Sequence, residues 1–126
     1  MDILDATRVM MNQLQHGEFV EGMQRFYADD VVNEEPTGIT ARTLGELVAY
    51  EREFQQSVES FEGVQVQAVG GWSPTPGEGV TFAEYSMHIR LKSGKSLRPK
   101  QVQVLRWRHG KVYHACFYYD PAAASA

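Results

Sequence analysis

The hydrophobic pattern of this chain changes its period once, and that change limits the possible folds more than any other feature. Before about residue 61 the apolar residues recur every three to four positions, as on one face of a helix, whereas from Val64 onward they alternate. Alternation is typical of strands, and the predicted strands are 64–72, 79–92, 95–108 and 111–119. Helices followed by consecutive strands predict an α+β domain, with the helices on one face of the sheet.

Two helices are predicted in the first part of the chain. Residues 2–15 carry an apolar stripe at helical spacing, and Gly17 follows as the expected stop because glycine adopts positive φ at little cost. A shorter helix carries the apolar residues from 19 to 27. The β-branched residues after it indicate a short strand, which Pro36 ends.

A third helix is predicted from a capping motif. Thr43 and Glu46 form a T-x-x-E capping box, in which each side chain accepts a hydrogen bond from a free backbone N–H group at the start of a helix. The helix should therefore begin near Leu44. Its apolar face continues to about residue 61, and Gly63 is the expected terminator.

The length of 126 residues suits one domain, predicted over residues 1–120, with a flexible tail over 121–126. The net charge is -4 and the basic residues are scattered, so we expect no nucleic-acid binding. No apolar run approaches membrane-spanning length, so we expect no membrane association. Cys116 is the only cysteine, which excludes an internal disulfide and makes the cytoplasm the expected compartment.

The predicted strands carry apolar residues on both faces. Those of one parity are Tyr85, Met87, Ile89, Val102 and Val104, and those of the other are Phe82, Leu105 and Trp107. Helices can cover only one face of the sheet. A second apolar face predicts a homodimer formed through the outer face.

Two segments carry a resemblance to a known family. FYADDVVNEEPTG, followed by the capped helix, and the closing RHGKVYHACFYYDP resemble the SnoaL-like branch of the nuclear-transport-factor-2-like superfamily, which includes ketosteroid isomerases, polyketide cyclases and limonene epoxide hydrolases. The resemblance covers nearly the whole chain. It implies a cystatin-like cone in which three helices close over a curved, mainly antiparallel sheet and leave a small-molecule pocket.

The resemblance also implies a catalytic position. Ketosteroid isomerases have an Asp just before the corresponding proline, and that Asp moves a proton between two carbon atoms; Glu35 stands at this position. A carboxylate in an apolar cavity is a suitable general base, because burial raises its pKa. The family's two oxyanion donors, a Tyr and a protonated Asp, fall at Met11 and Gln103. Gln103 can still donate through its amide, with His88 as a possible second donor.

The turns predict which residues face the pocket. A two-residue turn at Ser93-Gly94 and a three-residue turn at 108–110 would bring even positions of the second strand and odd positions of the third and fourth to one face. The expected pocket residues, besides the three catalytic candidates, are Asn33, Tyr50, Glu51, Phe82, Glu84, Ser86, Gln101, Leu105, Trp107, Phe117 and Tyr119. Asn33 shares the parity of Glu35 and could orient it.

Several functions remain open at this point. The first is an isomerase, dehydratase or cyclase that works without a metal or other cofactor, because the acidic residues have no metal-ligand spacing. The second is a non-catalytic ligand-binding or dimerisation module, in which Glu35 pairs with an arginine such as Arg42. The third is a platform for a partner protein. The missing Tyr and Asp favour the second reading, and the position of Glu35 favours the first.

Overall fold

The structure, a computed structural model, describes residues 1–124. The helices are α1 (Ile3–Gln15), α2 (Glu21–Phe26), α3 (Leu44–Gln56) and α4 (Pro121–Ala124). The strands are β1 (Tyr27–Glu35), β2 (Gly38–Ala41), β3 (Val58–Thr75), β4 (Glu78–Leu91), β5 (Ser96–Leu97), β6 (Lys100–Arg108) and β7 (Lys111–Tyr118). None of the helices in this part of the chain combines the length and the apolar character needed to cross a membrane.

The strands form one curved, open sheet in the order β2-β1-β7-β6-β4-β3, with β5 paired to β4. Only β1 and β7 run parallel among the described strands. Helices α1 and α3 pack against the inner face of the sheet, which carries Tyr85, Gln103 and Phe117. The outer face carries Phe82, Val104 and Cys116. The predicted α+β class and mainly antiparallel sheet are confirmed.

One end of the inner face is closed by a packed core, which we call the packed end and define by Thr7, Thr81 and Trp107. Trp107 Nε1 donates to the Thr81 hydroxyl at 2.8 Å, and the hydroxyls of Thr81 and Thr7 lie 2.8 Å apart. Thr7 also donates to the carbonyl of Ile3 at 2.8 Å. A hydroxyl has one proton, so Thr81 donates to Thr7 while it accepts from Trp107. Each of these buried polar groups therefore has a partner.

The capping box is present, but α3 is shorter than predicted. The Glu46 amide donates to Thr43 Oγ1 at 3.1 Å, as expected, and the Glu46 carboxylate accepts from the backbone of Arg42. The helix ends at Gln56 rather than near residue 61, and Val58 and Phe61 belong to β3. A bulge at Glu59, between Val58 and Ser60, puts Val58 and Phe61 on the same face of β3 although they lie three residues apart. Their spacing therefore imitates that of a helix.

The turn after β4 also differs from its prediction. Leu91 donates its amide proton to the Lys95 carbonyl, which leaves a three-residue turn that includes Gly94 at φ 92°. The expected turn had two residues. Because one residue of slip reverses the face of a whole strand, Ala83 and not Glu84 lies opposite Gln103.

Two errors cancel at the last hairpin. The turn there has two residues, His109 and Gly110, both with positive φ, rather than the predicted three. A bulge in the pairing between Arg106 and Trp107 then adds one residue, Tyr113, to β7. Phe117 therefore still lies opposite Gln103, on the inner face. The predicted tail over 121–126 begins with the helical turn α4, and residues 125 and 126 lie outside the described part of the chain.

Candidate functional site

A cavity of about 180 Å³ lies between the helices and the inner face of the sheet. Its walls are methionine, phenylalanine and aliphatic side chains from α1, α2, α3 and β4, together with a set of polar residues. These polar residues are Glu18, Tyr27, Glu35, Tyr50, Glu51, Tyr85, Gln101, Gln103 and Tyr119. The cavity is thus mainly apolar, with its polar groups concentrated in carboxylates, phenols and amides.

Glu35 is held by donors on both of its carboxylate oxygens. The Tyr119 hydroxyl donates to Oε1 at 2.8 Å, and Asn33 Nδ2 donates to Oε2 at 3.0 Å. Asn33 is fully buried and also donates to Thr40 Oγ1 at 2.7 Å. Burial raises the pKa of Glu35, and the bonds from Tyr119 and Asn33 oppose that increase. No ion pair with Arg42 occurs among residues 1–124.

Glu51 supplies a second carboxylate from α3. Burial, followed by the charge of Glu35, raises the pKa of Glu51 to about 7. Two carboxylates that share one cavity oppose each other's ionisation, because each negative charge raises the cost of the next. Near neutral pH the Glu51 carboxyl group is therefore poised between its protonated and ionised forms.

Hydrogen-bond donors are present on the wall formed by β1, β4 and β6. The Tyr85 hydroxyl lies 3.2 Å from Gln103 Oε1 and 3.4 Å from Gln101 Oε1, so its single proton is shared between two acceptors. Tyr27 and Gln103 are both only 4% exposed. Within residues 1–124 neither the Tyr27 hydroxyl nor the Gln103 amide nitrogen has a hydrogen-bond partner. Burial raises the pKa of Tyr27 and of Tyr85, which keeps both phenols protonated and able to donate.

The described residues provide no obvious metal centre. No group of three or more His, Cys, Asp or Glu side chains in residues 1–124 is arranged to hold a metal ion. The three cavity carboxylates, of Glu18, Glu35 and Glu51, are accompanied by phenols and amides.

Half of the fourteen predicted site residues line the cavity, and the others lie behind it, in the core or on the outer face. The residues that line it as expected are Glu35, Tyr50, Glu51, Gln101, Gln103, Phe117 and Tyr119. Asn33 lies just behind Glu35 and binds it. Leu105 and Trp107 share the inner face but are buried in the core cluster and do not line the cavity.

The four predicted pocket residues of β4 are on the wrong face. Phe82, Glu84, Ser86 and His88 were expected to line the pocket. They belong to the outer face, because the three-residue turn after β4 reverses its parity. The inner face carries their odd-numbered neighbours instead, including Tyr85 and Met87.

The sequence-based prediction missed three polar lining residues, Glu18, Tyr27 and Tyr85, and it missed Met87 of β4. Tyr85 and Met87 were assigned to the opposite face by the turn error. Tyr27 was assigned to the apolar stripe of the second helix, whereas it is the first residue of β1. The signal that could have recovered Tyr85 and Met87 is Gly94, since glycine in the last position of a three-residue hairpin loop supplies the required positive φ.

Comparison with known proteins finds likeness in structure alone. No family model matches the chain, and no curated protein matches it by sequence. A protein of unknown function from Burkholderia pseudomallei, described as nuclear-transport-factor-2-like, superimposes with a TM-score of 0.77 at 16% identity, covering 96% of this chain and 92% of that one. A protein from Mesorhizobium loti, provisionally named a SnoaL-like polyketide cyclase, gives 0.69 at 17% identity, covering 94% and 100%.

A third solved structure holds a small molecule. It is a protein from Catenulispora acidiphila with a ketosteroid-isomerase-like fold in complex with trimethylamine, and it superimposes with a TM-score of 0.72 at 12% identity, covering 91% of this chain and 85% of that one. At these identities the comparisons establish the fold. The chain has the nuclear-transport-factor-2-like fold that the sequence resemblance predicted.

Proposed function

We propose that this chain is an enzyme that moves a proton on a small, mainly apolar carbonyl compound, with Glu35 as the general base. One observation carries the proposal: Glu35 lines the cavity with both carboxylate oxygens held by donors, at 2.8 Å from Tyr119 and 3.0 Å from Asn33. Such bonds fix the orientation of a base, which is a large part of what an enzyme contributes to proton transfer.

The proton affinity of Glu35 suits this role. Burial raises the pKa of Glu35, which strengthens it as a base, while the bonds from Tyr119 and Asn33 limit the increase. Each carboxylate oxygen has two lone pairs, so the bonds from Tyr119 and Asn33 leave capacity to accept a substrate proton. The name polyketide cyclase, given to one structural neighbour, agrees with chemistry at a carbon acid.

In the proposed step a Glu35 oxygen removes a proton from the carbon next to a carbonyl group. The electron pair of the broken C–H bond moves to the carbonyl oxygen and forms an enolate. The unpartnered Tyr27 hydroxyl and Gln103 amide nitrogen are the proposed donors to that oxygen. Glu35 then returns the proton to another carbon, so the net reaction is an isomerisation. His88 takes no part, because it lies on the outer face.

The size of the cavity limits the substrate. An apolar cavity of about 150 Å³ holds a molecule the size of benzene. The 180 Å³ cavity therefore suits one ring or a short branched chain and is too small to enclose a steroid. Met11 and Gln103 also stand where the steroid isomerases have their two oxyanion donors. The size of the cavity and the loss of these donors both argue against a steroid substrate.

A nitrobenzisoxazole serves as a model substrate for proton removal by Glu35, so the natural substrate need not be known. When a base removes its ring proton, the N–O bond breaks and the oxygen leaves as a coloured phenolate. We expect catalysis by the native chain to fall about 10²- to 10⁴-fold in Glu35→Gln, the usual contribution of a general base. Glu34→Gln is the matched control, since the Glu34 carboxylate pairs with His114 on the outer face. Equal rates in the native chain and Glu35→Gln would exclude Glu35 as the base.

We also propose that two copies pair through the outer face. Phe82 is 40% exposed there, Tyr118 is 59% exposed and Trp72 is 69% exposed. Half-buried valines of β4 and β6 connect these rings into an apolar strip, which a second copy would cover. Phe82→Arg should convert a dimer to a monomer in sedimentation equilibrium, while Ile39→Arg, at an equally exposed apolar residue of β2, should not. A native chain that sediments as a monomer would contradict the proposal.

The proposed compartment is the cytoplasm. The chain has a single cysteine, Cys116, and therefore forms no internal disulfide. Such cysteine usage suits a reducing environment. Imaging of a fluorescent fusion in the source cells checks this, and an extracellular signal would contradict it.

A further inference from the structure

The charges around the cavity have one sign. Glu18, Glu35 and Glu51 line it, and the described lining residues include no Lys, Arg or His. No cation contributes to the pKa of Glu35 or of Glu51 either. A buried carboxylate without a positive partner is costly, and a neutral ligand would leave that cost in place. A cationic ligand would remove it.

The remaining walls suit the outside of an organic cation. The rings of Tyr27, Tyr85 and Phe117 and the thioether of Met87 face the cavity. Aromatic faces attract ammonium groups through their quadrupole, most strongly where water is excluded. Tyr27, a residue only 4% exposed, lines the cavity, and its hydroxyl has no partner within residues 1–124, so a bound molecule can complete its hydrogen bonding.

We infer that the cavity binds a small organic cation, an ammonium group carried on an apolar body about the size of a benzene ring. The inference rests on the proposed function, because it names the ligand class of the same cavity. Glu51 pairs with the ammonium group. Glu35, held by Tyr119 and Asn33, stays directed at the carbon that loses its proton.

This division of roles predicts that binding is linked to protonation. The titratable groups that face the cavity are Glu18, Tyr27, Glu35, Tyr50, Glu51, Tyr85 and Tyr119. The pKa of Glu51 is about 7 in the free protein, and an adjacent cation would lower it. A cation should therefore displace a proton near neutral pH, and its affinity should increase as the pH rises through about 7.

Choline and its uncharged carbon isostere, in which carbon replaces nitrogen, test the inference by calorimetric titration of the full chain. They have the same shape and differ in charge. At a pH one unit above the Glu51 pKa we expect choline to bind at least tenfold more tightly than the isostere. Glu51→Gln should remove most of that preference, and Glu53→Gln, an exposed carboxylate on the same helix, should retain it. Titration in buffers of different protonation enthalpy should show proton release only with choline.

Two results would overturn the inference: affinity for the isostere equal to or above that for choline, or no binding of either molecule. The comparison in the native chain does not depend on the folding of any variant. Failure here is distinguishable from failure of the proposed function. Loss of nitrobenzisoxazole turnover in Glu35→Gln without a choline preference would leave the base assignment intact. A choline preference with unchanged turnover in Glu35→Gln would support the cation site and exclude the base.

Discussion

The two ends of the inner face differ in the hydrogen bonding of their polar side chains. At the packed end, Trp107, Thr81 and Thr7 form a chain of hydrogen bonds that finishes on the carbonyl of Ile3. At the cavity end, Tyr27 and Gln103 are only 4% exposed as residues, but the Tyr27 hydroxyl and the Gln103 amide nitrogen have no partner among the described residues, and both residues line the cavity. Buried polar groups normally find partners, because an unpaired one loses its bonds to water without compensation.

The difference separates groups that maintain the fold from groups that await a ligand. A complete series of hydrogen bonds, such as the one at the packed end, stabilises one arrangement of α1 on the sheet. The raised pKa values of Glu35 and Glu51 show that burial disfavours their charged forms at the cavity end, and a ligand can offset that cost. Stability should therefore respond strongly to substitutions at the packed end, and activity and pH dependence should respond at the cavity end.

The largest expected effect is at the packed end. Trp107 is 2% exposed and forms part of the core cluster with Phe26 and Leu105. Trp107→Ala should lower the free energy of unfolding by about 3 to 5 kcal/mol, because it leaves a cavity and removes the partner of Thr81. Urea unfolding measures this change. Ile39→Ala, at an exposed residue, should cost well under half as much. Equal losses of unfolding free energy in the two variants would contradict the special contribution of the packed end.

The next effect is a pH dependence that originates at the cavity end. The unfolded chain ionises Glu51 near pH 4.5, whereas the folded chain holds that proton to about pH 7. The folded state therefore binds more protons between these values, and stability falls as the pH rises, by about 3 kcal/mol in all. Urea unfolding across this range should show a shallower slope for Glu51→Gln than for the native chain. Parallel curves for the two proteins would contradict the Glu51 assignment.

Thr81→Val tests the hydrogen-bond chain apart from packing, since valine has nearly the shape of threonine. The substitution leaves the Trp107 N–H group and the Thr7 hydroxyl without their shared partner. We expect a loss of about 1 to 3 kcal/mol in the free energy of unfolding. Thr75→Val, at an exposed position of β3, is the control. A loss no greater than in the control would show that the chain of bonds adds nothing to packing.

The smallest expected change in stability comes from the contact between Tyr119 and Glu35, and it tests the role of Glu35. Tyr119→Phe removes the donor at 2.8 Å and should cost less than about 1 kcal/mol of folding free energy. It should also raise the pKa of Glu35, because the bond from Tyr119 lowers that pKa. The pH–rate profile for nitrobenzisoxazole should shift to higher pH. Tyr118→Phe, on the outer face, should leave the profile unchanged, and identical profiles for both variants would contradict this role.

Local chemistry in the sequence predicted several parts of this site. The end of α1 just before Gly17 and the start of α3 just after Thr43 follow from capping rules that involve only neighbouring residues. Asn33 and Glu35 share a face because they lie two apart in one strand, and the structure brings them within 3.0 Å. These features needed no knowledge of distant contacts.

The pairing register of the strands and the contacts between distant residues were decided by the tertiary structure. Whether the turn at Gly94 has two or three residues depends on how β4 pairs with β5 and β6, and that pairing determined that Tyr85, and not Glu84, faces the cavity. The proximity of Glu51 to Glu35 required α3 to pack beside β1.

The sequence by itself determined the class of the fold, the caps of its helices and the placement of Glu35 before Pro36, because these depend on hydrophobic period and on neighbours along the chain. Only the tertiary structure decided which donors and charges surround Glu35. A single added residue in a turn or a bulge reverses a strand's faces at little local cost, so the choice is made by the packing of the whole sheet. The pair of carboxylates without a cation is a product of that packing.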